Sequence, residues 1–478
     1  MSFVSWSQNK YTLSGYVRDS LSGETLIGAS VTITTQSKGI ISNAYGFYSL
    51  TLDEGTYIVS ATFTGYLPLD SIIVLNKNTV VNFNLLQRAL LQEVIISSKR
   101  RDDNVTAPQM GKFDMSVSRI KSVPVLLGEV DLLKTLQLLP GVRNAGEGNT
   151  GLYVRGGGPD QNLIMLDDAI VYNSGHLFGF FSIFNSDAIK NITLIKGSMP
   201  AQYGGRLSSV LDVAMKEGNM KKFEAEGGIG LIASRLSVQG PIKKNKASFV
   251  ISARRTYIDV LMKPFIKKSS DYHGSGYYFY DLNMKVNYKF SERDRLYLSG
   301  YFGRDIFSFK NSARSFSADI PWGNSTATLR WNHVFNRKLF ANTTVVYNDY
   351  KFAFGAEQDD FKLRLASGIR DRNAKIDIDY YPAPSHKMKF GGQYTYHTFV
   401  PNILTGEQGE TKFEPNNDSK KYALEMAAYI QDEWELSPKL KMEAGLRYSG
   451  FTQIGPYTVY ERDANGNKTD STFYGRGK

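Results

Sequence analysis

Cysteine is absent from this chain of 478 residues. Its absence excludes disulfide bonds, thiolate metal sites and cysteine nucleophiles. The sequence also lacks a run of about 18 apolar residues, so we predict no transmembrane helix. The mean hydropathy of −0.30 is low. A low average does not exclude a membrane protein, because the strands of a transmembrane β-barrel alternate apolar and polar residues.

Sequence signatures of catalysis are also missing. The chain has five histidines, which are His176, His273, His333, His386 and His397. None lies in an HExxH pattern, and no pair has the spacing of zinc ligands. No GxSxG motif is present, and the glycines at 156–158 and 204–205 lack the spacing of a phosphate-binding loop. We therefore expect no enzyme activity, no metal site and no cofactor.

The charge of the chain is basic but dispersed. The net charge is +11 and the pI is about 9.3. A basic chain can meet nucleic acid, lipopolysaccharide or anionic ligands. Two small basic groups, Lys243–Lys246 and Lys99–Arg101, are interpreted as a solvated turn and a linker. We predict no nucleic-acid partner.

Aromatic residues, in contrast, are abundant, with 29 Tyr and 28 Phe. Outer-membrane barrels carry aromatic girdles at both membrane interfaces. An aromatic-rich soluble β protein has the same composition, so composition alone does not separate the two classes.

The segment 11–87 alternates short β-rich runs with turn residues, which predicts a small β-sandwich. Its sequences GYVRDSLSGETLIGASV and NAYGFYSLTLDEGTYIVSATFTGY resemble the carboxypeptidase-regulatory-like domain. That resemblance implies a prealbumin-like sandwich without catalytic residues. Residues 1–10 are too short for the apolar core of a signal peptide, and we interpret them as a residual or truncated leader.

The segment 123–217 contains a series of short motifs. In chain order they are LPGV at 139–142, VRGG at 154–157, LD at 166–167, IKG at 195–197, PA at 200–201 and YGGR at 203–206. Together they resemble the plug domain of TonB-dependent outer-membrane receptors. The resemblance implies an α/β plug inside a transmembrane β-barrel.

The resemblance assigns a structural or gating role to a set of plug residues. They are Arg155, Gly156, Gly157, Asp167, Lys196, Gly197, Tyr203, Gly204, Gly205 and Arg206. We expect Arg155 and Arg206 to pair with carboxylates of the plug or barrel. Asp167 and Asp168 are interpreted as a turn between strands, and His176 as structural.

The connector 88–122 contains a segment that resembles a TonB box. Its residues are Glu93, Val94, Ile95, Ile96 and Ser97. An extended segment of this kind can add a strand to the sheet edge of a partner, with main-chain hydrogen bonds supplying most of the affinity. The alternative is a last strand of the sandwich or a plain linker strand.

The segment 218–478 shows period-2 alternation. Leu282, Met284 and Val286 alternate with Asn283 and Lys285, which predicts strands with one apolar and one polar face. We count about ten strands, joined alternately by short turns and by long loops at 257–279, 304–324, 355–372 and 399–421. This regularity favours an outer-membrane barrel over a soluble sandwich.

The predicted fold class is therefore mainly β: a sandwich, an α/β plug and the first strands of a large antiparallel transmembrane β-barrel. Plugged barrels have about 22 strands, and a partial barrel leaves unpaired edges in lipid. We expect the sequence to be a fragment that lacks the C-terminal half of the barrel. We also expect His397 to point into the barrel or toward its rim.

The resemblance implies an active transporter of the cell outer membrane, with the sandwich and connector in the periplasm. Its expected partners are TonB with ExbB and ExbD, outer-membrane lipid and lipopolysaccharide, and a small ligand. A surface lipoprotein is a further candidate partner. Siderophores, cobalamin, oligosaccharides and peptides stay open as ligands; the plug lacks the full pattern of the SusC glycan importers. The alternative is a surface adhesin or signal-transducing receptor on the same scaffold.

Overall fold

The computed structural model describes residues 9–36, 38–88, 111–120, 129–144, 146, 149–267, 269–413, 420–437 and 440–475. In chain order these residues form a β-sandwich, a small mixed sheet and a large antiparallel sheet. The predicted fold class is confirmed, because strands dominate all three units and helices are short.

The sandwich packs two sheets of four strands each. Its strands are β1 (Lys10–Asp19), β2 (Ser30–Ile33), β3 (Gly39–Ile41), β4 (Phe47–Asp53), β5 (Gly55–Thr62), β6 (Leu69–Leu75), β7 (Thr79–Val80) and β8 (Phe83–Leu85). One sheet has the order β4-β1-β7 with β8 also on β1, and the other has the order β3-β2-β5-β6. Alternate residues such as Val31, Tyr57 and Val59 face inward and fill the shared core.

The second unit, called the plug below, is built on a five-stranded sheet of order β13-β12-β17-β16-β9. Its strands are β9 (Lys112–Ser116), β10 (Val142–Asn144), β11 (Leu152–Val154), β12 (Asn162–Leu166), β13 (Ala169–Ile170), β14 (Gly175–His176), β15 (Phe181–Ser182), β16 (Ile189–Ile195) and β17 (Ser209–Met215). Its helices are α1 (Val117–Ile120) and α2 (Leu132–Leu136), with single 3₁₀ turns at Pro159–Gln161 and Leu177–Gly179. Strands β12 and β17 are parallel, as a mixed α/β unit requires.

Helix α2 shows how the sequence fixes the plug locally. The Asp131 carboxylate accepts hydrogen bonds from the backbone N–H groups of Leu133 (2.9 Å) and Lys134 (3.1 Å), so it caps the helix. The leucines of α2 are buried in the plug core. The sequence predicts a helix over Val130–Leu139, ended by Pro140 and Gly141, whereas the structure limits the helix to Leu132–Leu136.

The third unit, called the barrel wall below, is an antiparallel meander in which successive strands pair. Its strands are β18 (Glu224–Ile229), β19 (Ala233–Lys243), β20 (Ala247–Thr256), β21 (Gly276–Lys289), β22 (Asp294–Asn311), β23 (Phe316–Asn336), β24 (Leu339–Gln358), β25 (Phe361–Tyr380), β26 (His386–Gln408), β27 (Thr411–Phe413), β28 (Lys421–Ser437) and β29 (Leu440–Ile454). Short helices occupy Ile258–Met262 (α3), Lys263–Phe265 and Ser312–Arg314, and β30 (Tyr457–Arg462) pairs with β31 (Lys468–Tyr474) as a separate hairpin.

The barrel wall reverses the polarity of a soluble protein. On β21, Met284 and Val286 are exposed, with 45% and 39% of their surface accessible, whereas Asn283 and Lys285 are buried at 1% and 3%. The same reversal runs along the neighbouring strands, where Leu298, Leu329 and Val345 face outward. Apolar residues outside and polar residues inside are what a lipid-facing wall requires.

Two predictions about the wall need correction. The alternation of the sequence predicts one strand near 224–239, but the structure has two strands there, β18 and β19, joined by a tight turn. The predicted long loops at 304–324, 355–372 and 399–421 are largely β-structure, because the paired strands continue past the membrane length into long hairpins. The 23 residues of β26 reach about 75 Å at about 3.3 Å per residue, far more than the roughly 9–11 residues that cross a bilayer. Below, the end with these hairpins is the hairpin rim and the opposite end is the short-turn rim.

Within the part of the chain that the structure describes, none of the helices combines the length and the apolar character that a bilayer crossing demands.

Candidate functional site

The candidate site is the interface between the plug and the inner face of the barrel wall. Asp167 and Asp168 lie in the turn between β12 and β13, both in the left-handed region with φ of 48° and 70°. The Asp167 carboxylate is 2.8 Å from Lys285 Nζ on β21, and the Asp168 carboxylate is 2.7 Å from the Arg330 guanidinium on β23. Two strands of the wall thus hold one turn of the plug.

These two carboxylates are kept charged by their partners. Burial alone raises the pKa of a carboxyl, but Lys285 and Arg330 outweigh it and hold the pKa of Asp167 below its ordinary value. Burial is likewise outweighed at Asp168, where Arg330 lowers the pKa most. The turn is therefore an anchor of opposite charges rather than a reservoir of protons.

Asp212 on β17 behaves differently. Burial, together with the charge of Asp168, raises the pKa of Asp212 to about 6, although Arg330 and Lys375 oppose the shift. The Tyr203 hydroxyl donates a hydrogen bond to Asp212 over 3.3 Å. This carboxyl therefore changes its protonation close to neutral pH.

His176 fastens the plug to the wall near the hairpin rim. Its ring stacks on Phe279 with a centroid distance of 4.0 Å. Nδ1 lies 2.7 Å from Asp305 and Nε2 lies 3.3 Å from Asp281. Burial lowers the pKa of His176, but the hydrogen bonds and charges of the two carboxylates outweigh it and raise the pKa above its ordinary value.

The turn that follows His176 is strained and displays an aromatic side chain. Leu177, Phe178 and Gly179 are consecutive residues with φ of 50°, 53° and 93°. A left-handed conformation is unfavourable for side-chain-bearing residues and persists only where surrounding contacts impose it. Here the Leu177 N–H donates to the hydroxyl of Tyr277 (2.6 Å) and to Asp305 (3.0 Å).

Phe178 stands at the apex of this turn with 59% of its surface exposed. Its ring lies 4.8 Å from Trp322 and 5.8 Å from Phe307 of the wall. Ile320 and Phe352 belong to the same apolar cluster. The plug apex and strands β22–β24 thus form an aromatic surface, which we call the apex aromatic surface (Phe178, Phe307 and Trp322).

A polar gap separates the plug sheet from strands β24–β28. Tyr172, Arg206, Asp371, His397 and Glu425 are among its lining residues. His397 Nδ1 lies 2.7 Å from Asp371 and Nε2 lies 3.4 Å from Glu425, while the Tyr172 hydroxyl donates to Asp371. His397 thus faces inward, toward the plug. Among the described residues no group of three or more His, Cys, Asp or Glu suits a metal ion.

The plug residues singled out from the sequence lie at close approaches of the chain. A Cβ on Gly197 would come within 2.5 Å of the Arg155 guanidinium, and one on Gly204 within 2.4 Å of Arg447 Nε on the wall. Lys196 Nζ donates to the Pro140 carbonyl over 2.7 Å.

The remaining plug residues named from the sequence lie in left-handed turns or at close approaches of the chain. Gly156 and Gly205 have φ of 88° and 76°, and a Cβ on Gly157 would come within 2.5 Å of Ser208. Arg206 donates to the carbonyl of Gly205 over 2.8 Å. The carboxylate partners predicted for Arg155 and Arg206 stay predictions, and Glu93–Ser97 lie outside the described residues.

Sequence reasoning missed the apex aromatic surface. The predicted long loops at 257–279 and 399–421 also contain aromatic residues. Of these, Tyr277 is buried and donates a hydrogen bond to Asp305, and Tyr278 stacks on Tyr280. The run HLFGFF at 176–181 was the available signal, because its aromatic residues flank a glycine, which favours a turn.

Comparison with known families places a match on each unit. Residues 13–96 match the CarboxypepD_reg-like domain, residues 121–209 the TonB-dependent Receptor Plug Domain and residues 263–477 the TonB dependent receptor-like, beta-barrel family. A curated relative is the TonB-dependent receptor SusC of Bacteroides thetaiotaomicron, 26% identical over 224 residues. That alignment covers 43% of this chain and 21% of the relative.

Solved structures share the fold at low sequence identity. The copper transporter OprC has a TM-score of 0.55 at 12% identity, over 78% of this chain and 60% of that one. The outer membrane transporter YddB from Escherichia coli has a TM-score of 0.55 at 12% identity, over 71% and 56%. A double mutant of the ferric enterobactin receptor from Pseudomonas aeruginosa has a TM-score of 0.52 at 16% identity, over 73% and 58%. This chain therefore spans less than two thirds of each of these proteins.

Proposed function

This chain belongs to the TonB-dependent receptors of the outer membrane, and from that premise we propose that the protein imports a scarce ligand by active transport. The plug closes the barrel at rest, and its rearrangement opens a path along the inner wall. The protein makes and breaks no covalent bond in this role.

The observation that carries the proposal is the buried, charged contact between plug and wall. Asp167 and Asp168 of one plug turn pair with Lys285 and Arg330 of two wall strands. Apolar side chains would stabilise a purely structural contact at least as well, because buried ion pairs seldom add net stability. Polar contacts of this kind hold one defined position and can be exchanged for water when the plug moves.

Energy for that movement comes, in this proposal, from TonB with ExbB and ExbD. Glu93–Ser97 would add a strand to the sheet edge of TonB, and a pull on it would act on β9, the edge strand of the plug sheet. Main-chain hydrogen bonds would carry the load, so the side chains of the segment need only favour an extended chain. Outer-membrane lipid and lipopolysaccharide would surround the apolar outer face, and a surface lipoprotein is the remaining candidate partner.

The ligand would first meet the apex aromatic surface. An exposed ring beside two further rings suits the face of a planar group or of a sugar ring. Siderophores, cobalamin, oligosaccharides and peptides all remain within the proposal. The relatives named for copper and for ferric enterobactin are too distant to select among them.

Deletion of the gene in its native host tests the proposal. The deletion strain and the wild type would be grown with limiting iron, cobalamin, oligosaccharide or peptide, each supplied in a form too large for porins. We expect the deletion to abolish growth on one class, and a plasmid copy to restore it. Equal growth of both strains on all four classes would contradict import.

A further inference from the structure

Strand β4 of the sandwich is buried on both faces. One face of its sheet packs on the other sheet of the sandwich, and the opposite face would be exposed if the sandwich stood alone. Tyr48 points into the sandwich core. Phe47 points the other way and packs on Phe340 and Tyr381 of the barrel wall, with centroid distances of 5.4 and 6.3 Å. Phe340 begins β24 and Tyr381 follows β25, so the sandwich lies on the short-turn rim.

An aromatic side chain of the sandwich reaches the interior of the barrel wall. Tyr45 stacks on Phe340 at 5.5 Å. The Arg330 guanidinium lies 5.4 Å from the centroid of the Tyr45 ring and pairs with Asp168 of the plug. One arginine therefore contacts the sandwich and the plug at once.

Polar contacts extend the same interface along the short-turn rim. The Asn43 side-chain amide donates to the Asp379 carboxylate at the end of β25 over 2.9 Å. Arg18 lies 3.6 Å from Glu292 in the turn between β21 and β22. The contacts therefore span several strands of the wall rather than one loop.

A second anchor joins the sandwich to the chain segment that connects plug and wall. The Glu24 carboxylate accepts hydrogen bonds from the backbone N–H groups of Glu217 (2.5 Å) and Gly218 (2.9 Å). The Met220 N–H donates to the Ser22 carbonyl over 2.8 Å. This segment lies between β17 and β18 and joins the plug to the wall.

The three units meet at the carboxylate of Glu217. It accepts a hydrogen bond from the Thr25 hydroxyl of the sandwich (2.6 Å), and it pairs with Lys190 of the plug (2.9 Å) and Arg295 of the wall (3.1 Å). The side chain is buried. A buried carboxylate needs its partners in place, so the Glu217 cluster defines one docked arrangement of all three units.

We propose that the sandwich is a second gate: it docks on the short-turn rim beneath the plug and must leave this position in each cycle of import. The gating role rests on the proposed function, whereas the docking rests on the contacts alone. Strand β8 ends at Leu85 and the TonB-box candidate begins at Glu93. A pull on that candidate therefore acts through a tether of at most about 29 Å on the sandwich, as well as on the plug.

Chemical linking tests both parts, because the chain contains no cysteine that would compete. Arg18→Cys and Glu292→Cys would be combined in the full protein and treated in whole cells with a bismaleimide that contains a cleavable disulfide. We expect a link to form in resting cells. The linked protein should bind the ligand found by the growth assay as well as unlinked protein, but lose import, and reduction of the linker should restore it.

The single variants Arg18→Cys and Glu292→Cys, treated with the same reagent, are the matched controls and should import normally. A matched pair then tests the contact itself: Phe47→Ala should slow linking, whereas Ile72→Ala, at a residue 75% exposed on the same sandwich, should not. Failure to link, or equal linking by both alanine variants, would overturn the docking. Import by the linked protein at the unlinked rate would overturn the gate. Absence of import in the untreated wild type would overturn the proposed function and the gating role with it, and the linking rate would still report on docking.

Discussion

At the scale of single residues, Asp212 has an environment that opposes its charge. The pKa of about 6 in the folded protein exceeds the value of about 3.9 in an unfolded chain. The folded state therefore binds the proton more tightly, and the stability that this binding provides is lost as the pH rises through 6. Above that pH the charged carboxylate destabilises the folded plug.

Replacing Asp212 by asparagine should remove this destabilising charge. At pH 7.5 we expect Asp212→Asn to raise the free energy of unfolding by up to about 3 kcal/mol, at about 1.4 kcal/mol per pKa unit. At pH 3.5, below the pKa of about 3.9 in the unfolded chain, the difference should largely disappear. Urea unfolding of the purified protein in detergent at both pH values measures it. A variant that is less stable than the native protein at pH 7.5 would contradict this reading of Asp212.

Lys285, unlike Asp212, stabilises the folded protein, because it neutralises the buried carboxylate of Asp167. Lys285→Met keeps most of the side-chain volume and leaves Asp167 buried without its ion pair. We expect a loss of about 3–5 kcal/mol in the free energy of unfolding and faster proteolysis of the plug. The control is Arg370→Met, since Arg370 pairs with Asp349 with 42% of its side chain exposed, where a loss of about 0–1 kcal/mol is expected. Equal losses in the two variants would argue against a buried anchor.

At the scale of elements, the strained turn Leu177–Gly179 gives Phe178 its exposed position. Phe178→Ala should weaken binding of the imported ligand about three- to tenfold, because an aromatic pair contributes about 0.5–1.5 kcal/mol. Phe413→Ala is the matched control: Phe413 is 64% exposed on β27, and we expect no change. Calorimetric titration of both variants measures their affinities for the ligand. A larger effect of Phe413→Ala would indicate that the ligand binds at the outer hairpins instead.

The elements also show how far sequence reasoning reaches. Alternation along β21 could be read from the sequence, because side chains two positions apart in a strand lie on the same face. The ends of the strands could not be read from the sequence, because turn residues such as Pro321 and Gly323 interrupt the alternation where β22 and β23 remain paired. The motif glycines of the plug could be placed, whereas the wall residues facing them, such as Arg447, could not.

At the scale of the whole molecule, the interfaces join positions far apart in the chain. Glu24 and Glu217 are 193 residues apart, and no pattern in one sequence connects them. The three units themselves were predictable, because each has its own local motifs or periodicity. Their mutual arrangement follows from buried charges that find partners only after folding, as at Glu217.

We propose that energy from TonB drives import, and a variant that separates binding from uptake tests this proposal. Ile95→Pro removes a main-chain donor and cannot join a strand on both sides; Asn104→Pro makes the same change elsewhere in the connector and serves as control. We expect Ile95→Pro to bind the ligand with unchanged affinity and to take up no more than the gene deletion, while Asn104→Pro should behave as wild type. Uptake by Ile95→Pro at the wild-type rate would contradict the proposal.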